Sequence, residues 1–373
     1  MNPYLLQLKT AALMLFTPYG LQTILEREAA QEPMTSYLQW MTIGTLVIFA
    51  LYGLRCLLDR REISRPVRKW ALLTAVIALA LTVRLALELA RVGFVVLTEM
   101  FDLSLEDLYW DDDVLLPLYT FSGAELSFFC GALGVCLSVL IANCITRRGE
   151  KAVTAGMDAF APFGALMVVL FRLGQTYEPS LHLHGGGKPL PAGSSLAHFP
   201  FALKIDIAGG YSGWVWNICM LSALFALIWA VIAFVISLRG KGRTGLSFTL
   251  TLFFLCLPQI MCESMRGDDI KWLFVHVEQL FCALVLLGVL MYWIIGSKGV
   301  PALKRWLPMI ILVVCLGLIV VTEFAIDGKW FDFSHTVCYI FMTFVLAAMG
   351  FAGVWAARNW NRSGEKPAEA AAE

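Results

Sequence analysis

The sequence is short of charge. Asp, Glu, Lys and Arg make up 15% of its 373 residues, against about 25% in a soluble domain. With 59% hydrophobic residues and a mean hydropathy of +0.74, that scarcity excludes an ordinary soluble fold. The ten cysteines form no CxxC pair and no Cys/His ligand spacing, so they read as small buried hydrophobes rather than disulfide or metal partners. No metal and no cofactor is expected. A basic n-region leading to a small-residue cleavage site is missing, which argues against a removed signal peptide. Also missing are a Ser/His/Asp triad, a phosphate-cradling Gly-rich loop, internal repeats and any nucleic-acid-binding feature. The formal net charge of zero says little about partners, so the distribution of charge among the loops carries the information.

What is there is a series of apolar runs long enough to cross a ~30 Å hydrocarbon core, which takes about 20 residues each. They fall near 36–58, 70–98, 121–145, 152–174, 212–240, 246–264, 272–296, 306–328 and 334–358. The expected fold class is all-α: a polytopic transmembrane helical bundle of about nine spans. The connecting loops alternate. "DRREISRPVRK" (59–69), "TRRGEK" (146–151), "LRGKGR" (238–243), "SKGVPALKR" (297–305) and "RNWNRSGEK" (358–366) are basic. Between them, 99–113 has no Lys or Arg, and 175–211, 265–271 and 326–332 carry at least as many acidic as basic residues. The positive-inside rule puts the basic set in the cytoplasm, with the N-terminus outside and the C-terminus cytoplasmic.

Residues 1–35 form an outer arm, in which 4–24 fits either an additional span or an amphipathic surface helix. The tail, 361–373, is polar with no expected fold. The outer loop 175–211 is rich in Gly, Pro and Ser and reads as a solvated connection, a small head domain or a lid. His182 and His184 alternate within it, but no third metal ligand stands at a suitable spacing.

A few polar residues interrupt the oil. Arg172, Gln175 and Glu178 close the fourth span, and Glu263 and Arg266 close the sixth, one helical turn apart and so on one face. Glu278 and Gln279 fall about two turns into the seventh, and Arg84 lies within the second with Glu88 four residues on. Arg84 and Glu88 fit a self-contained ion pair as well as a cavity lining. Arg172 and Arg266 fit snorkelling to the headgroups, or a site for an anionic lipid, since a planar guanidinium holds phosphate with two hydrogen bonds.

Over 36–296 the chain resembles the prolipoprotein diacylglyceryl transferases. The residues that carry the resemblance are "WMTIGTLVIFALYGLRCLLDRR", "LTVRLALELA", the stretch from "SFFCGALG" to "FRLGQ", "MCESMRGDD" and "HVEQLFCALVLLGVLMYW", in that order. The resemblance implies transfer of diacylglyceryl from phosphatidylglycerol to the cysteine of a lipoprotein precursor in the bacterial inner membrane. It places Arg172, Glu263 and Glu178 at the catalytic site, with Arg172, Arg266, Gln175, Gln279 and Arg84 against the lipid. Arg84, Arg172 and Arg266 would then face a common outward-opening cavity. Phosphatidylglycerol, a lipobox-cysteine precursor and membrane lipids are the implied partners; nucleic acid is not.

The departures are specific. Phe129 stands where the family has His, Cys130 where it has Gly, Gln175 and Glu178 where it has Asn, Gln259 where it has Arg, and Trp216–Asn217 where it has Tyr–Glu. Two further spans occupy 297–360. A non-catalytic relative that binds lipid or lipobox peptides, or a lipid transporter, therefore stands as the alternative.

Overall fold

Inside a bilayer the backbone N–H and C=O groups have no water to pair with, so a long apolar run must satisfy them internally as a helix. In the computed structural model the runs do so. It describes residues 34–58, 65–86, 89, 128–147, 149–176, 187–190, 193–198, 200–207, 211–239, 242–266, 271–272, 275–326 and 333–369. The N-terminal arm through residue 33, the acidic loop 99–113, Glu88, Glu178, His182 and His184 lie outside the described residues.

Two compact units divide the chain, Met1–Leu183 and His184–Glu373. The first holds α1 (Met34–Leu58), α2 (Arg65–Leu81), a π-helical turn Thr82–Ala86 that continues it, α3 (Phe128–Thr146) and α4 (Glu150–Thr176). Helix α1 packs on α2 and α4, and α3 packs on α2 and α4. A fully buried polar staple joins three of them. Asn143 of α3 donates from Nδ2 to Tyr52 Oη of α1 at 3.0 Å and back to the Val139 carbonyl at 2.8 Å. The Tyr52 hydroxyl donates in turn towards the Gly156 carbonyl of α4 at 3.4 Å.

The second unit holds β1 (Ala202–Ile207), β2 (Tyr211–Trp216), α5 (Ile218–Arg239), α6 (Leu246–Ser264), β3 (Lys271–Trp272), β4 (Val275–His276), α7 (Val277–Gly296), α8 (Ala302–Ile326) and α9 (His335–Glu369). Helix α6 packs against α5, α7 and α9, and α8 packs against α7 and α9. The two C-terminal helices are thus built into this unit. Its core packs the fully buried rings of Phe253 and Trp293 in a tilted pair with centroids 5.5 Å apart.

Seven of these helices are long and apolar enough to cross a membrane, and Ile43–Leu58 and Leu72–Ala86 are shorter apolar helices. The chain is a mostly helical, multi-pass membrane protein. It is not purely helical. Strands β1 and β2 form an antiparallel hairpin, Ala202 opposite Trp216 and Ile207 opposite Tyr211, and β3 and β4 form a second, shorter one. Hydropathy merged β2 and most of the second hairpin with the spans that follow, so α5 begins at 218 rather than 212 and α7 at 277 rather than 272, while β1 falls within the expected loop 175–211. At the other end α9 runs on to Glu369, through the tail expected to be unfolded. Its Ala, Glu and Lys are good helix formers, which extends a helix already nucleated by packing.

Gly156 supplies a stability test. A Cβ there would run into the Asn143 side chain, whereas one at Gly288 would meet nothing within 4 Å. Gly156→Ala should lower stability by about 1–3 kcal/mol through overpacking and displacement of the staple. Gly288→Ala should be neutral or stabilising by up to about 1 kcal/mol, as expected for removing a helix glycine. Thermal unfolding of the detergent-solubilised chain reads both. Equal midpoints for the two variants would contradict the packing described.

Candidate functional site

Helix α6 ends in a polar turn within an otherwise apolar helix. Gln259 and Glu263 sit four residues apart and so share a face, and both are buried. Ser222 Oγ of α5 donates to Gln259 Oε1 at 3.0 Å. The Gln259 amide donates to Glu263 Oε1, and Arg266 Nη1 donates to Glu263 Oε2 at 2.9 Å. Both carboxylate oxygens of Glu263 are therefore occupied. The same Arg266 nitrogen stands 3.6 Å from Glu278 Oε2, in the first turn of α7.

Gln279, also in that first turn, works in two directions. Its Oε1 accepts the His276 backbone N–H at 3.1 Å, closing the start of α7. Its Nε2 donates to the Ile260 carbonyl of α6 at 2.9 Å and to Glu323 Oε1 of α8 at 2.8 Å. The Tyr339 hydroxyl of α9 donates to the Ser264 carbonyl at 3.3 Å. One network of buried polar groups thus ties α5, α6, α7 and α8 together at one end of the unit, with α9 joined to it at Ser264. Glu263, Gln279 and Glu323 are 1%, 3% and 4% exposed. An ionised carboxylate at such depth costs several kcal/mol unless it is paired and hydrogen-bonded, which the amides and Arg266 accomplish here. Arg266, 21% exposed, keeps an accessible edge.

Part of the long 175–211 loop reaches this end. Gly187 N–H donates to the Trp216 carbonyl at 2.9 Å and Leu190 N–H to the Trp214 carbonyl at 2.8 Å, adding a short extended segment beside β2. Lys188 N–H donates to the Met265 carbonyl at 2.8 Å, which sets that lysine next to Arg266 along the backbone. Gly187 must be glycine, because a Cβ would collide with Trp216. Beneath the segment, Ile218, Cys262 and Met265 form a small apolar core against Trp216 and Tyr339.

Arg172 belongs to the first unit, near the C-terminus of α4. It is 3% exposed, so it does not snorkel as a free helix-end side chain. Its guanidinium carbon lies 3.6 Å above the Phe128 ring centroid, an attraction worth up to ~2 kcal/mol when desolvated. Gln175 is in the last turn of α4, with its side chain outside the described residues. Arg84 sits in the π-helical turn and is exposed.

Of the residues expected at the site, Glu263, Arg266 and Gln279 meet in one network. Arg84 and Arg172 lie in the other unit. Sequence reading missed Glu323, Ser222, His276 and Lys188. Only Glu323 left a signal, a lone carboxylate within an apolar run, which needs a buried partner. Gln259 entered only as a departure where the resemblance has arginine; here its amide supports Glu263.

Gln279→Leu would leave Glu323 without its amide donor inside the bundle, and it should lower stability by about 1–3 kcal/mol. Adding Glu323→Leu removes the stranded carboxylate and should recover most of that loss. A double-mutant cycle by thermal unfolding reads the pair, and strictly additive costs would show that the two side chains do not depend on each other.

Comparison with models of known protein families, with curated proteins and with solved structures finds no match to this chain.

Proposed function

We propose that the chain is a divergent diacylglyceryl transferase of the bacterial inner membrane. On this reading it moves diacylglyceryl from phosphatidylglycerol to the cysteine of a lipoprotein precursor. The observation that supports this most is the convergence of Glu263, Arg266 and Gln279, three positions the resemblance matches, into one buried network at the end of α6 and α7. The basic loops face the cytoplasm in this reading, which puts the network at the outer boundary of nine spans.

In the transfer, the cysteine thiolate forms a bond to the terminal glycerol carbon of the diacylglyceryl group. The carbon–oxygen bond to phosphate breaks, and glycerol phosphate leaves with the electron pair. Charge grows on the departing phosphate, so a fixed guanidinium aimed at it lowers the barrier. Arg266 has that role. Glu263 has both oxygens engaged, so it acts as a positioning residue for Arg266 and not as the base. Arg172 is the second guanidinium that the resemblance matches to lipid binding.

One observation favours the non-catalytic alternative. Phenylalanine occupies the position where the resemblance has histidine, and its neighbour Phe128 covers Arg172. The two readings separate in one assay: purified full-length chain, phosphatidylglycerol and a lipobox-cysteine peptide, with glycerol phosphate release as readout. The wild type should release it. Arg266→Lys should insert normally but lose on the order of a hundredfold in rate, because lysine offers a point charge without the planar fork. Lipid binding without release would favour the non-catalytic reading. Neither binding nor release would contradict both.

A further inference from the structure

The opposite end of the second unit carries a different kind of site. A cavity of about 410 Å³ opens between α5, α6 and α9, within the ~300–1,000 Å³ range of small-ligand sites. Its wall is apolar and aromatic, with Trp229 of α5 stacked on Phe254 of α6 at 4.3 Å between centroids and 14° between planes. Ile236 and Leu250 continue that wall, and Arg358 and Arg362 of α9 stand in the lining. The two arginines are four residues apart on one face. Both are exposed, and neither forms an ion pair among the described residues.

The rim is held in place. Asn361 Oδ1 accepts the Arg243 backbone N–H at 2.7 Å, which locks α9 to the turn before α6. The Arg243 guanidinium lies 4.5 Å over the Trp360 ring, and Ser363 Oγ donates to the Gly296 carbonyl of α7 at 3.2 Å. The turn of α9 that carries Arg358 and Arg362 is thereby fixed against two neighbouring segments. An apolar groove with two guanidiniums on a fixed helical turn has the polarity of one phospholipid: acyl chain inward, phosphate at the rim.

We propose that this groove is a binding site for a single anionic phospholipid, with an acyl chain along Trp229 and Phe254 and the phosphate between Arg358 and Arg362. Basic pockets between helices at the cytoplasmic end of membrane proteins select anionic headgroups in this way. The pair of arginines sets the preference for negative charge, and the apolar wall binds any acyl chain. The site lies on helix ends remote from the Glu263 network along α6: Leu250 and Glu263 are thirteen residues apart in sequence, or about 20 Å at 1.5 Å per residue. It stands whether or not the chain transfers diacylglyceryl.

The test uses the full chain in phosphatidylcholine nanodiscs doped with phosphatidic acid or phosphatidylcholine bearing a photoactivatable acyl chain. Labelled peptides are then mapped by mass spectrometry. Phosphatidic acid should label the 229–236 and 250–254 segments about thirtyfold more than phosphatidylcholine, on the scale of two arginines acting at a membrane surface. Arg358→Gln with Arg362→Gln should abolish that preference and leave any labelling near 263–279 unchanged, while Arg266→Lys should leave the groove labelling intact. For the unmodified chain, raising salt should shrink the preference, because the rim is solvent-exposed and screened. Equal labelling of the groove by the two lipids, or a preference that survives both the double substitution and high salt, would overturn the proposal.

Discussion

A carboxylate inside an apolar bundle must be given partners, and much of the second unit is arranged to meet that demand. Glu263 and Glu323 are both buried, and each is reached by a side-chain amide, Gln259 in one case and Gln279 in the other. Because Gln279 also holds the Ile260 carbonyl and the first turn of α7, satisfying one acid fixes the relation of three helices. Arg266 then inherits its position from Glu263 and Glu278 rather than from the membrane interface. The broader demand that buried polar groups be paired gives the first unit its Tyr52–Asn143–Gly156 staple.

The second unit has two chemically distinct ends. At one, three carboxylates, two amides and Arg266 are knitted beside a short extended segment of the long 175–211 loop, and the Lys188 backbone is tied to Met265. At the other, Arg358 and Arg362 on one turn of α9 edge an apolar groove. The contrast follows from what each end meets on the proposed topology: a reacting headgroup to be oriented at the outer boundary, and anionic lipid to be held at the inner one.

The helices were legible because a run of about 20 apolar residues has few folds open to it in lipid. The start of α5 was not. "YSGWVW" carries no charge and runs directly into the span, and hydropathy averages over the change from a two-residue to a 3.6-residue period. Only its alternation, with Val215 buried and Trp214 exposed, reveals a strand. The Glu263–Arg266 pair was legible because its members lie one turn apart. Glu323 was not assigned, since its donor is 44 residues away on another helix. A lone acid in a span tells that a partner exists and not which one. Lys188 was hidden for a related reason: its place beside Arg266 depends on a backbone hydrogen bond to Met265 and on the close approach that Gly187 permits.

The central claim is that Arg266, fixed by Glu263 and Glu278, turns its remaining edge to a phospholipid phosphate. An electron cryomicroscopy map of the full chain in phosphatidylglycerol nanodiscs tests it most directly. The expected result is phosphate density within hydrogen-bonding distance of the Arg266 guanidinium, with Glu263 still holding its other side. A map in which the arginine is enclosed by its carboxylates and the extended loop segment, with lipid only along the outer helix faces, would contradict it.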